Sequence, residues 1–124
     1  MPLVRISHPT GANASAISQG VHRAMVTTFN VPEDDFFQIV TEHVPASGLM
    51  RPDKYLGIAY SDEFTIVQIT ANDMRTLEQK KALYAAIAKN LSRDAGLRRE
   101  DILISLIEVK EENWSFGNGE AQYA

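Results

Sequence analysis

The sequence contains no cysteine, which excludes disulfide bonds, a thiolate nucleophile and zinc sites built on thiolates. It also lacks an excess of positive charge: 12 basic residues against 16 acidic ones make nucleic acid and anionic membranes unexpected partners. No apolar run approaches the length of a signal peptide or a membrane span. Its three histidines, His8, His22 and His43, lack metal-site spacing, so we expect neither a metal nor another cofactor. The 124 residues, 44% hydrophobic, predict one globular domain over residues 1–124 and a cytoplasmic location.

One short pattern occurs twice in the chain. Val31–Phe36 and Leu97–Ile102 share an apolar residue, a short acidic turn and an apolar restart, 66 positions apart. Such self-similarity predicts two copies of one β-α-β unit, over about residues 2–43 and 62–109, followed by a C-terminal segment, 110–124.

The first unit is predicted to start with a strand over Leu3–Ser7. Apolar residues at helical spacing predict a helix over Ser15–Phe29, with Asn13 or Ser15 as its N-cap. A second strand is predicted over Phe36–His43.

The second unit is predicted to start with a strand over Phe64–Thr70 and to continue into a helix from Thr76. A capping box opens that helix and Gly96 ends it. A last strand is predicted over Ile102–Val109, and the connection 43–61 is rich enough in turn residues for a short hairpin. The apolar stripe of the helix is expected to contain Leu77, Leu83, Tyr84, Ile87 and Leu91.

These elements predict an α/β (α+β) fold with a four-stranded sheet and both helices on one face, because right-handed crossovers place both helices there. The strand over Ile102–Ile107 is apolar on both faces and should be covered on both sides. The helices cannot cover the second face, so we expect the chain to self-associate through it.

Pro2 is the first candidate for chemistry. Inside a chain a proline nitrogen is an amide with no proton. Removal of Met1 would make it a free secondary amine, which titrates near ~8 and is lowered by burial or by cationic neighbours. A strand-start proline without a chemical role is the alternative.

The whole chain from Pro2 to Tyr123 resembles the tautomerase superfamily, in its malonate semialdehyde decarboxylase branch. The most specific match is Asn113-Trp114-Ser115-Phe116-Gly117-x-Gly119. The turn Val31-Pro32-Glu33-x-Asp35 and the helix start Arg75-x-x-Glu78-Gln79-Lys80 support it.

The resemblance implies a homotrimer with a pocket beside a subunit boundary, and a role for each of five residues. Pro2 matches the catalytic proline, Asp35 the acid that positions or activates water, and Arg75 an arginine that binds the substrate carboxylate. Trp114 and Phe116 match the apolar wall beside the proline. A turn acid, a surface arginine and ordinary core or interface aromatics are the alternatives for these residues.

One position departs from the family pattern. The family decarboxylase has a second arginine where this chain has Asp73. An acid there removes one carboxylate clamp and repels an anionic substrate, which argues against efficient decarboxylation of a short 3-oxo acid.

The preferred interpretation is therefore a keto-enol tautomerase that uses Pro2 on a small or aromatic 2-oxo acid, such as phenylpyruvate. One alternative is decarboxylation or hydration of a 3-oxo acid. A trimeric binding protein without turnover is the other.

Overall fold

The computed structural model describes residues 2–124 and contains one four-stranded sheet with two helices. The strands of this sheet are β1 (Leu3–Pro9), β2 (Gln38–His43), β5 (Thr65–Asn72) and β6 (Ile102–Val109). Their order across the sheet is β2-β1-β5-β6. The pairs β1–β2 and β5–β6 are parallel, and the central pair β1–β5 is antiparallel. This arrangement confirms the predicted pair of β-α-β units. The processing of Met1 concerns a residue outside the described ones. The two helices are α1 (Ala14–Phe29) and α2 (Leu77–Ala95).

Three strand boundaries differ from the sequence-based ones by two residues. β1 continues to Pro9 because it stays paired with β2 beyond the predicted end. β5 continues to Asn72 because it stays paired with β6 in the same way. β2 starts at Gln38, later than predicted, because a turn closed by the Asp35 N–H and the Pro32 carbonyl precedes it. β6 has the predicted bounds.

Both helices begin at capping side chains. The Asn13 side chain accepts from the Ala16 N–H at 3.1 Å, and Thr76 and Gln79 form a reciprocal capping box. Asn30 and Gly96 end the helices in the left-handed conformation, with φ of 56° and 67°.

The core lies between the helices and one face of the sheet. It contains Val4, Ile6, Val67 and Ile69 from the two central strands, packed against buried residues of both helices. The prediction that Leu77 lies on the apolar stripe of α2 is wrong, since this residue is 61% exposed. Six residues at 3.6 per turn place it roughly 120° around the helix from Leu83, which is buried.

The connection between the two units carries a small hairpin, β3 (Lys54–Tyr55) and β4 (Ile58–Ala59). Leu56 and Gly57 form its turn with positive φ at both positions, typical of a type I′ turn. The segment after the hairpin is tied to the core by Asp101, which is fully buried and accepts from the backbone N–H and the hydroxyl of Ser61.

The sheet face opposite the helices is uncovered in the single chain. Leu3, Ile39, Leu103 and Ile107 on this face are 38–45% exposed. Large apolar side chains exposed together on one sheet face mark a site of protein association. Within residues 2–124, neither helix has the length and apolarity needed to cross a membrane.

We expect Leu103→Asp to shift the protein toward the monomer, because a carboxylate on this face is costly to bury against another subunit. Leu77→Asp is the matched control, since Leu77 is an exposed leucine outside the uncovered sheet face. Sedimentation velocity at micromolar concentration measures both. A wild type that sediments as a folded monomer would contradict the assignment of this face.

Candidate active site

One edge of the sheet brings the predicted site residues into the same region. β1 and β2 start at this edge, whereas β5 and β6 end there, because the two pairs of strands run in opposite directions. Pro2 precedes β1, Asp35 precedes β2, Arg75 follows β5 and Trp114 follows β6. Four positions far apart in sequence therefore belong to one edge.

Pro2 is buried immediately before β1. β1 lies between β2 and β5 at this point: the Val4 N–H donates to the Phe37 carbonyl at 3.0 Å, and Leu3 faces Thr70 in the register. Pro2 is thus enclosed where β1 enters the sheet between its two neighbours.

Arg75 is fixed against the end of helix α1. Its Nη2 donates to the Phe29 carbonyl at 2.9 Å, and the guanidinium carbon lies 4.7 Å from the centre of the Phe29 ring. A cation at the last helical residue interacts favourably with the helix dipole. Burial lowers the pKa of Arg75 and Asp35 opposes that change, yet an arginine stays protonated at neutral pH.

The guanidinium group of Arg75 has a second terminal nitrogen, Nη1, which does not take part in the bond to Phe29. Nη1 is buried and has no hydrogen-bond partner within residues 2–124. A buried charged donor without a partner is costly, and a carboxylate ligand would satisfy it.

Asp35 lies at the end of the turn before β2 and is 8% exposed. Burial raises its pKa; the positive charges of the N-terminus, His22 and Arg75 oppose the rise, and Asp34 adds to it. These influences place Asp35 within electrostatic range of Arg75 and of the start of the chain. Its carboxyl group holds a proton more tightly than an ordinary aspartic acid.

Trp114 and Phe116 form a stacked pair, with ring centres 5.6 Å apart and planes inclined by 14°. The ring centre of Phe116 also lies 5.3 Å from that of Tyr123 and 6.4 Å from that of Phe37. The aromatic wall therefore contains four rings, those of Phe37, Trp114, Phe116 and Tyr123. The rings of Phe37 and Tyr123 are about half exposed, which leaves apolar surface available to a ligand.

Two polar side chains hold this wall in place. The Trp114 indole N–H donates to the Asn72 side-chain oxygen at 2.7 Å, which ties the ring to the end of β5. The Gln122 side chain accepts from the Phe116 N–H and donates to the Gly117 carbonyl, both at 2.9 Å. Gln122 thereby closes the loop that places Tyr123 against Phe116.

Asp73, which departs from the family pattern, belongs to a charged network at the same edge. A hydrogen bond with Glu108 raises the pKa of Asp73, and Glu108 accepts from Lys80 at 2.6 Å. The acidic end of β6 is therefore paired with the start of α2 at Glu108. Lys80 is held by Glu108 and does not replace the missing arginine.

Sequence reasoning overlooked several residues of this edge. The sequence pattern identifies Phe29 only as the end of the predicted helix. In the structure, its carbonyl and its ring both hold Arg75. Phe37 and Tyr123 join the aromatic wall; their aromatic type was the only signal in the sequence. Asn72 and Gln122 carry no signal in the sequence, because their partners are set by the fold.

We expect Asp35→Asn to stabilise the folded protein at neutral pH. The fold raises the pKa of Asp35, so its ionisation costs stability once the pH rises above the unfolded value near ~3.9. Thermal unfolding should show a gain of about 2–5 °C at pH 7 that shrinks as the pH falls toward ~4. Asp34→Asn, a change at the exposed neighbour that acts on Asp35 only by repulsion, should give a smaller gain. A lower melting temperature for Asp35→Asn at pH 7 would contradict the direction of the pKa shift.

Comparison with known proteins identifies the family. The model of a family described as "Tautomerase enzyme" matches residues 35–117. The probable tautomerase YusQ of Bacillus subtilis (strain 168) is 38% identical over 98% of each chain. The probable tautomerase YrdN of the same organism is 32% identical over 99% of this chain and 96% of its own.

Solved structures agree with this result. A crystal structure of FG41 malonate semialdehyde decarboxylase, inhibited by 3-bromopropiolate, has 34% sequence identity and a TM-score of 0.90, covering 98% of this chain and 93% of its own. Another malonate semialdehyde decarboxylase, studied for decarboxylase and hydratase activities, has 29% identity and a TM-score of 0.87, covering 98% and 95%. A fused 4-OT described as a symmetric trimer shares the fold at 21% identity, with a TM-score of 0.78 and 98% and 97% of the chains covered. The chain belongs to the tautomerase superfamily, in the branch similar to malonate semialdehyde decarboxylase, and is an isomerase of the tautomerase type.

Proposed function

We propose that the protein is a keto-enol tautomerase that acts on a small or aromatic 2-oxo acid such as phenylpyruvate, with the amine of Pro2 as the proton-transfer group. The observation that carries the proposal is the buried Nη1 of Arg75, which has no hydrogen-bond partner within residues 2–124, at the same sheet edge as buried Pro2. One guanidinium nitrogen without a hydrogen-bond partner among the described residues, and one proline nitrogen that can become basic, suit a substrate with one carboxylate and one exchangeable proton.

The chemistry needs the free amine that follows removal of Met1. In ketonisation, neutral Pro2 takes the proton of the enol hydroxyl and delivers a proton to the carbon next to the carbonyl carbon, while the C=C bond becomes a C=O bond. Enolisation runs the same two transfers in reverse. The aromatic wall of Phe37, Trp114, Phe116 and Tyr123 favours the neutral amine, because an apolar surface disfavours the charged form.

Arg75 binds the substrate carboxylate through its Nη1 side and stabilises the negative charge that develops on the enolate oxygen. Its attachment to the Phe29 carbonyl keeps the guanidinium in place before the substrate arrives. Asp35 is the second group able to hold a proton in this region, and we assign it the hydrogen bond to the substrate hydroxyl or to a water molecule.

We further propose that the active unit is a homotrimer and that a neighbouring subunit closes the pocket. The aromatic wall is partly exposed in one chain, and the uncovered apolar face starts beside it at Leu3. The trimeric description of a neighbour with the same fold supports this number of subunits.

Decarboxylation or hydration of a 3-oxo acid is the second candidate, favoured by the similarity to the two malonate semialdehyde decarboxylases. In that reaction protonated Pro2 polarises a carbonyl group and Asp35 activates water. Asp73 argues against it, because the Asp73–Glu108 pair adds acidic groups where a second cation would be needed. The pH dependence separates the two: the base route gains rate above the pKa of the amine, whereas the acid route loses rate there.

Pro2→Ala should lower kcat/KM for ketonisation of phenylpyruvate enol by about 100-fold, the size of a general acid–base contribution. Pro9→Ala, at the other end of β1, is the matched control and should keep its rate. The mass of each protein must first establish that Met1 has been removed. Equal rates for wild type and Pro2→Ala would exclude the proline from the mechanism.

Arg75→Ala should weaken phenylpyruvate binding by about 10–100-fold, because one charge-assisted carboxylate contact is lost. Arg75→Lys should recover only part of the affinity, since an ammonium group lacks the planar fork. Trp114 is the only tryptophan in the chain, so its fluorescence reports binding directly. Arg93→Ala, on the exposed surface of α2, is the control. An unchanged Kd for Arg75→Ala would remove this residue from the site.

A further inference from the structure

His22 is a buried titratable side chain that the proposed reaction does not use. It lies on helix α1 and is 9% exposed. Its Nε2 is 2.9 Å from the backbone oxygen of Glu33. A carbonyl oxygen only accepts, so Nε2 carries the hydrogen and donates it, which leaves Nδ1 as the lone-pair atom of the neutral ring. Nδ1 is buried and has no hydrogen-bond partner among residues 2–124.

The same ring makes a second contact with the segment before β2. His22 meets Phe36 in an edge-to-face arrangement, with centres 4.8 Å apart and planes at 78°. One side chain therefore holds both sides of Asp35: the backbone two residues before it and the ring one residue after it.

The turn is attached to helix α1 at its start as well, where the Val31 N–H donates to the Met25 carbonyl at 3.4 Å. Its internal bond joins the Asp35 N–H to the Pro32 carbonyl at 3.0 Å, and the buried side chain of Val31 starts it. The bond from His22 to Glu33 connects the middle of the turn to helix α1. The charges that act on Asp35 are those of the N-terminus, Asp34, His22 and Arg75, so the helix also reaches the carboxyl group electrostatically.

We propose that His22 is the positioning residue for Asp35: through Glu33 and Phe36 it fixes the turn so that the carboxyl group stays buried beside Arg75. The inference deepens the proposed function, which gives Asp35 its task, but its geometric part holds whatever reaction the site performs.

The test compares His22→Gln with His22→Asn in the full chain. A glutamine side chain places its amide near the position of Nε2 and can donate to the Glu33 carbonyl. The amide of asparagine reaches only the position of Nδ1 and loses that bond. Both variants remove the ring and its charge, so a difference between them reports the bond to Glu33 alone.

The first measurement follows the Asp35 N–H by hydrogen exchange and the Asp35 carboxyl by NMR titration. In His22→Asn we expect exchange to accelerate by about tenfold, and the carboxyl to titrate closer to an ordinary aspartic acid, because the released turn exposes both groups. In His22→Gln, which keeps the bond to Glu33 and loses only the ring, both changes should be clearly smaller than in His22→Asn. Equal changes in the two variants would overturn the proposal and leave His22 only a charge effect.

The second measurement is kinetic and uses the enol of phenylpyruvate. His22→Asn should lower kcat by about tenfold with little change in KM, His22→Gln should recover the rate, and His22→Asn should add nothing in an Asp35→Asn background. Additive losses in that background would overturn a role through Asp35. His43→Asn, at the opposite edge of the sheet, controls for loss of an imidazole. If Pro2→Ala shows that the proposed reaction is wrong, the exchange and titration data still decide the role of His22.

Discussion

The position of β1 in the middle of the sheet is the constraint on which the candidate site depends. Because β1 pairs with β2 on one side and with β5 on the other, the residue before it is enclosed by neighbouring backbone on both sides. A strand at the edge of the sheet would leave the first residue in solvent. The opposite direction of β5 then brings the segment that carries Arg75 to the same edge, so topology alone brings Pro2 and this segment together.

The two β-α-β units share a pattern but use the repeated acid in different ways. Asp101 is fully buried and its carboxylate is satisfied by Ser61 and by Arg98, which donates at 3.2 Å. A carboxylate held by several donors is a structural group. Asp35, at the equivalent position of the first unit, is governed by burial and by nearby charges, and its pKa is raised. The duplicated fold thus places two equivalent acids in different surroundings, one held by hydrogen-bond donors and one with a raised pKa.

The architecture could be predicted from the sequence because local patterns determine it. Caps at Asn13 and Thr76, the glycine after α2 and the alternation along the strands depend on neighbouring residues, and each of these signals identified its element. The prediction that Leu77 belongs to the apolar stripe was wrong because it considered only that the residue is apolar, and not its angular position around the helix. The strand ends differed because pairing with another strand, rather than propensity, decides where a strand stops.

The candidate site could be predicted only in part. The resemblance pointed to Pro2, Asp35, Arg75, Trp114 and Phe116, and the fold brings the segments that carry them to one edge. The residues that hold them are joined across long distances in sequence: His22 to Glu33, Phe29 to Arg75, Asn72 to Trp114. No local pattern predicts such pairs, because each depends on where two elements meet.

The aromatic wall belongs to the exposed C-terminal segment, whereas Pro2 is enclosed by the sheet. Changes in length are tolerated where the backbone is exposed, and they are not tolerated inside a paired strand. Insertions and deletions can therefore accumulate in the segment from Trp114 to Tyr123, which the proposed function makes part of the pocket wall, while the enclosure of Pro2 by the sheet stays unchanged.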